Sequence, residues 1–175
     1  MIIQTKSGAL PLLFLIMTLF QVTPVLARSD DLLQREIEVQ IAESEKLQGT
    51  RVEIHVEQRL VVLTGQVRLY EQKLISDRIA WTTPGVFEVD NEIRVVPKVP
   101  LSDVAIEQKI REIMKDSERF HATGGVVRVN NGEVFLVGSF LDFRDPSILK
   151  HKVAEIEGVV GIEIRATFLA EEDSP

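Results

Sequence analysis

The residues of this chain best suited to metal binding or acid-base catalysis are its three histidines. His55, His121 and His151 are separated by 66 and 30 residues, and no cysteine accompanies them. Zinc sites usually draw on closely paired His and Cys ligands. Gly138-Ser139 also lacks the second glycine of a nucleophile elbow. We therefore expect no metal site, no cofactor and no enzymatic activity.

Loops that hold phosphate or nucleic acid are not evident in the sequence either. The segment 158–161 has the spacing of the GxxG loop of RNA-binding domains, but no lysine or arginine flanks it, so a helix stop explains it better. The chain has 20 basic and 27 acidic residues and a net charge of −7. This balance argues against bulk nucleic-acid binding. We also expect no small-molecule substrate.

The first 27 residues have the three parts of a secretory signal peptide. Lys6 precedes an apolar run at residues 9–20, and Val25-Leu26-Ala27 suits a signal peptidase. An uncleaved anchor is the alternative, but the run is shorter than the roughly 20 residues that span a membrane. No cysteine follows that could be lipid-modified or form a disulfide. We expect a periplasmic or secreted protein, either free or peripheral to a membrane.

After this leader the sequence repeats itself with a constant offset of 73 residues. The repeated residues include Ser29-Asp30 with Ser102-Asp103, Gly65 with Gly138, and Gly85-Val86 with Gly158-Val159. Such a period indicates two copies of one module. We assign residues 29–97 to the first module, 98–170 to the second and 171–175 to an acidic tail.

The first copy has the pattern of a helix, two strands, a second helix and a third strand. Apolar residues at every fourth position predict a helix that begins at Ser29 or Asp30 and ends near Gly49. Alternating residues predict two antiparallel strands joined at Gln58-Arg59. A helix from about Glu71 ends at Pro84-Gly85. Trp81 shares the apolar face of that helix, which favours a core or module-module contact over a lipid anchor.

The second copy repeats this order. Its first helix begins at Ser102 or Asp103 and runs to about Glu118, a tight hairpin turn is predicted at Asn131-Gly132, and Asp145-Pro146 begins the second helix. The fold class is therefore α+β, with two tandem α-β-β-α-β modules, each having two helices packed on a three-stranded mixed sheet. The short linker, Lys98-Val99-Pro100, favours contact between the modules.

Several of these segments resemble the BON domain family. They are Leu60–Gly65 and Pro84–Ile93 in the first copy, with Glu133–Gly138 and Glu157–Val159 in the second, whereas Gly161–Ile164 departs from the pattern. The resemblance implies structural roles for four glycines, Gly65, Gly85, Gly138 and Gly158. It further implies a non-enzymatic module that binds phospholipid surfaces or protein partners in the bacterial envelope.

The two copies differ in their balance of basic and acidic side chains. Residues 29–97 have 8 basic and 13 acidic side chains, whereas residues 98–170 have 10 and 11, so the second copy is better suited to an anionic surface. The predicted lipid-binding residues are Phe140, Leu141, Phe143, Lys150 and Lys152. One alternative is that the two phenylalanines form a hydrophobic staple at the start of their own helix. A second is that a sheet edge or the exposed sheet face of one copy docks a larger envelope assembly, which makes the chain an interaction or scaffolding module.

Overall fold

The computed structural model describes residues 29–99, 101–115, 120 and 125–169. The predictions for the signal peptide, Pro100, Glu118, His121 and the acidic tail lie outside these residues. Within them the chain forms two α+β modules, each with its own cluster of buried apolar side chains. The two tandem modules and the predicted fold class are confirmed.

The first module has a sheet built around one central strand. Its elements are α1 (Asp30–Glu43), a 3-10 turn (Glu45–Leu47), β1 (Arg51–Glu57), β2 (Leu60–Val67), α2 (Tyr70–Thr82), β3 (Glu88–Asn91) and β4 (Arg94–Val95). Strand β1 is antiparallel to β2, and both β3 and β4 are parallel to β2. The third strand is therefore interrupted. At the break, the Asn91 side chain binds the Ile93 amide while Ile93 turns into the core with 1% exposure.

The second module repeats this arrangement with an unbroken third strand. Its elements are α3 (Asp103–Lys115), β5 (Val126–Asn130), β6 (Glu133–Phe140), α4 (Asp145–Ala154) and β7 (Gly161–Phe168). The strand order is β5-β6-β7, with an antiparallel and then a parallel pair. Two helices over a three-stranded mixed sheet match the prediction. Helix α1, by contrast, ends six residues before Gly49, because the 3-10 turn replaces its last turn.

One acidic residue per module joins the first helix to the hairpin. The Asp30 carboxylate accepts hydrogen bonds from the Gln58 and Arg59 amides at 2.8 and 3.0 Å. Asp103 does the same for the Asn131 and Gly132 amides at 2.9 and 3.0 Å. These carboxylates therefore hold the hairpin turn, and this contact gives the repeated aspartate the same structural role in both copies.

The helices bury their apolar faces on one side of each sheet. In the first module Leu33 and Ile37 of α1 are fully buried, and in the second Ile106 and Ile110 of α3 are fully buried. The opposite face of β1 presents polar side chains such as Glu53 to solvent. Each module thus has a small core on one sheet face, as expected for units of about 70 residues.

Three of the four predicted structural glycines have backbone angles that side chains rarely tolerate. Gly65, Gly85 and Gly158 have φ of 121°, 109° and 98°. Gly138, the counterpart of Gly65, is not among the positive-φ residues of the described chain. Of the pair Gly65 and Gly138, therefore, only Gly65 meets a left-handed backbone requirement, whereas Gly85 and Gly158 both do.

Candidate functional site

Phe140 is a core residue of the second module. It ends β6, its side chain is 2% exposed, and it belongs to the buried cluster that includes Leu149 and Val153. A side chain enclosed in this way reaches a membrane only if the module unfolds. The prediction that Phe140 binds lipid is therefore wrong.

The turn between β6 and α4 exposes two large apolar side chains. Leu141 is 60% exposed and Phe143 is 78% exposed. Arg144 lies with its guanidinium carbon 5.8 Å from the centroid of the Phe143 ring, and its Nε donates to Asp142 Oδ1 at 3.0 Å. Because Phe143 is largely open to solvent, the staple alternative is wrong for Phe143, whereas Phe140 does pack with residues of α4. We call Leu141 and Phe143 the apolar tip.

The two lysines of α4 point in different directions. They are two residues apart, which separates them by about 200° around a helix with 3.6 residues per turn. Phe143 precedes Asp145, the first residue of α4, by two residues, so the helical repeat does not relate its ring to either lysine. Lys152 lines a cleft with Lys109 and Glu112 of α3. The two predicted lysines therefore do not form a single basic patch.

Tyr70, at the start of α2, contacts the second module. Its ring packs against the core of that module, and its hydroxyl hydrogen-bonds with the Ile162 backbone. Burial, reinforced by the Glu133 carboxylate, raises the pKa of the phenol. No sequence pattern predicted this contact. The available signal was that the single tyrosine of the chain stands where the second copy has Phe143.

Polar contacts also join the modules. Arg78 of α2 hydrogen-bonds His151 Nε2 of α4, and these two residues occupy the same position in the two repeats. Glu157 accepts hydrogen bonds from the Lys98 amide at 2.8 Å and lies 3.7 Å from the Arg68 guanidinium. The linker is thereby fixed against the second module. The expected contact between the modules is present.

Trp81 does not take the place that its spacing predicted. Its side chain is 52% exposed, whereas the neighbouring Ala80 is fully buried. Successive residues point about 100° apart on a helix, so the buried face of α2 passes through Ala80 and leaves Trp81 beside it. The interpretation of Trp81 as a core residue is therefore wrong.

The raised pKa of Tyr70 predicts that the folded chain loses stability in alkali. A group with a higher pKa in the folded than in the unfolded state stabilises the fold below its unfolded value, and this contribution is lost as the pH rises through the folded value. The loss should begin near the ordinary phenol value of about 10. Unfolding free energies measured from neutral pH to about pH 12 should therefore fall more steeply for the wild type than for Tyr70→Phe. Equal slopes would contradict this assignment, and phenolate absorbance reports the single tyrosine directly.

The described residues contain neither a group of metal ligands nor a membrane-spanning helix. Among them no three or more His, Asp or Glu side chains are grouped closely enough to hold a metal ion. No helix in this part of the chain has the length and apolar character needed to cross a membrane.

A known domain family matches this chain twice. The BON domain model matches residues 29–97 and again residues 102–167. The chain belongs to the BON domain family. The two matches coincide with the two modules, so the resemblance to a tandem BON protein is confirmed. BON domains are a non-catalytic family.

Similar proteins include one relative by sequence and two by structure. The "Uncharacterized protein in gshII 5'region" of Anaplasma centrale is 31% identical to this BON protein over 121 residues, 65% of this chain and 72% of that protein. The C-terminal domain of CdsD, a structural protein of the type III secretion system of Chlamydia trachomatis, is 15% identical. That comparison covers 82% of this chain and 68% of that chain with a TM-score of 0.35. A second CdsD structure is 16% identical with the same TM-score.

Proposed function

We propose that this tandem BON protein is a non-enzymatic protein of the bacterial envelope that attaches to anionic phospholipid surfaces through the apolar tip of its second module. The observation that supports this proposal most is the 78% exposure of Phe143 beside the 60% exposure of Leu141. Exposed apolar patches rimmed by polar residues are typical of surfaces that contact a protein or a membrane. Lys150 belongs to α4, the helix that follows the tip, and supplies positive charge.

The expected attachment is weak and mainly apolar. Burying one Phe or Leu side chain contributes about 1.5–3 kcal/mol. One lysine near an anionic bilayer contributes about 1 kcal/mol, screened beyond about 8 Å at physiological salt. Arg144 adds little, because its guanidinium is already paired with Asp142. Apolar insertion therefore exceeds the electrostatic contribution.

A vesicle-binding experiment tests this proposal. With the mature chain and vesicles of phosphatidylcholine and phosphatidylglycerol at low salt, Phe143→Ser should lower the partition coefficient by about 10- to 100-fold, the equivalent of one buried Phe. Lys150→Glu should lower it by at least about 5-fold. Co-sedimentation across a range of lipid concentrations measures both.

The structure offers a matched control for each variant. Lys152→Glu makes the same charge change on another side of α4, and Val104→Ser removes a side chain of α3 that is 76% exposed. Both should bind within about 2-fold of the wild type. Absence of binding at low salt, or equal losses for Lys150→Glu and Lys152→Glu, would contradict the proposed surface.

Protein scaffolding is the second candidate function, and one feature of the second module favours it. Strand β7, Gly161–Phe168, is an edge strand of eight residues, and its last residue Phe168 is 55% exposed. Edge strands accept a further strand from a partner. Recovery of one recurrent envelope protein by crosslinking in intact cells, together with failure to bind vesicles, would favour this function over lipid binding.

A further inference from the structure

The contact between the two modules has the form of half of a symmetric interface. Arg78 and His151 are counterparts in the repeat, and they hydrogen-bond each other. Counterparts meet in this way when two copies are related by a two-fold axis, and every other contact should then occur twice. By the same rule, the contact that Tyr70 makes with the second module should have a counterpart between Phe143 and the first module.

The counterpart of the Tyr70 contact is not made within the chain. Applying the 73-residue offset, Phe143 replaces Tyr70. Glu133 and Ile162, which lie at the Tyr70 hydroxyl, correspond to Leu60 and Val89 of the first module. Phe87 lies beside Leu60, because its amide donates to the Arg59 carbonyl oxygen at 2.9 Å. We call Leu60, Phe87 and Val89 the counterpart site. Phe143 is 78% exposed and Phe87 is 71% exposed. One half of the contact is therefore formed, and both partners of the other half are open.

The formed contact and the open contact also differ in polarity, and in each of them the ring matches its site. The Tyr70 hydroxyl lies near the Glu133 carboxylate. Phe143 has no hydroxyl, and Leu60 stands where the second module has Glu133. A polar ring thus meets a polar site within the chain, whereas an apolar ring and an apolar site remain open. This complementarity identifies the occupant, because each chain carries both partners.

The linker explains why Phe143 does not reach the counterpart site of its own chain. Glu157 holds the Lys98 and Val99 amides at 2.8 and 3.4 Å. The Leu101 backbone lies so close to Gly158 that an added Cβ would sit 2.9 Å from the Leu101 amide nitrogen. The covalent connection has no counterpart on the other side of the interface. It fixes the modules in one arrangement and leaves the second contact to another chain.

We propose that Phe143 of one chain occupies the counterpart site of a second copy, completing between chains the contact that Tyr70 makes within one. This self-association goes beyond the proposed membrane attachment and does not require lipid. Because both use Phe143, a chain engaged with a second copy cannot insert that side chain into a membrane. Dimers in solution and attachment to vesicles should therefore compete.

Analytical ultracentrifugation of the mature chain in lipid-free buffer tests this inference. The mean mass should rise above that of a monomer as concentration increases. Leu60→Glu should weaken the association at least about tenfold, because it places a carboxylate opposite the Phe143 ring. Phe143→Tyr added to Leu60→Glu should recover part of the association, since this pair recreates the polarity of Tyr70 and Glu133. Val104→Glu, which changes an exposed residue of α3, should associate like the wild type.

Disulfide trapping provides a second measurement, because the natural chain contains no cysteine. Separately purified Phe143→Cys and Phe87→Cys chains, mixed and oxidised, should form a heterodimer in several-fold excess over a mixture of Phe143→Cys with Val104→Cys. A monomeric mass at every concentration would overturn the inference, as would heterodimer yields equal to the control. Leu60→Glu leaves the apolar tip intact, so its vesicle binding reports the proposed function separately.

Discussion

Replacing Phe140 with alanine should lower the unfolding free energy of the second module by about 3–5 kcal/mol, whereas Phe143→Ala should change it by less than about 0.5 kcal/mol. The two rings are three residues apart, but Phe140 is 2% exposed and Phe143 is 78% exposed. Removing the Phe140 ring leaves a cavity in a small core, and removing the Phe143 ring leaves none. The loss at Phe140 approaches the lower end of the stability of a native domain, which is about 5–15 kcal/mol.

Urea unfolding measures the change in stability, and amide hydrogen exchange shows which module loses it. In Phe140→Ala, amides of β6 and α4 should lose protection, while amides of the first module keep theirs. Phe143→Ala should preserve protection in both modules while weakening vesicle binding and self-association. Equal destabilisation by the two substitutions would show that the assignment of core and surface at this turn is wrong.

Gly65→Ala is expected to lower the unfolding free energy of the first module by at least about 3 kcal/mol. A φ of 121° is strained for any side chain and costs about 1–3 kcal/mol. The added Cβ would also lie 2.2 Å from the Arg51 carbonyl oxygen, which belongs to the paired strand β1. Because both atoms are fixed by the β1–β2 pairing, the clash is relieved only by moving the hairpin.

Gly49 provides the matched control for this substitution. Its φ is 75°, and an added Cβ would meet no atom within 4 Å. Gly49→Ala therefore has the cost of a left-handed backbone alone, about 1–2 kcal/mol. Thermal or denaturant unfolding should show Gly65→Ala clearly below Gly49→Ala. Similar stabilities for the two variants would mean that the hairpin adjusts without cost.

Local patterns were sufficient to predict the order of elements in both modules. Asn131-Gly132 forms the expected tight turn with φ of 50° and 78°, because this dipeptide tolerates left-handed angles. The corresponding turn in the first module has Gln58 and Arg59 at φ of 51° and 66°, which neither residue favours. Asp30 accepts both of their amides. That stabilisation comes from a residue 28 positions away, and the repeat was the only indication of it.

The sequence by itself determined that one small fold occurs twice, because glycines, helix starts and apolar periodicities act over a few residues and recur at a fixed offset. Only the tertiary structure decided which apolar side chains are enclosed. Phe140 and Phe143 have the same residue type and neighbouring positions, but Phe140 lies over the core and Phe143 lies beyond its edge. Tyr70 is covered by the second module, while its counterpart is exposed. Burial depends on what packs from elsewhere in the chain, and residue spacing does not contain that information.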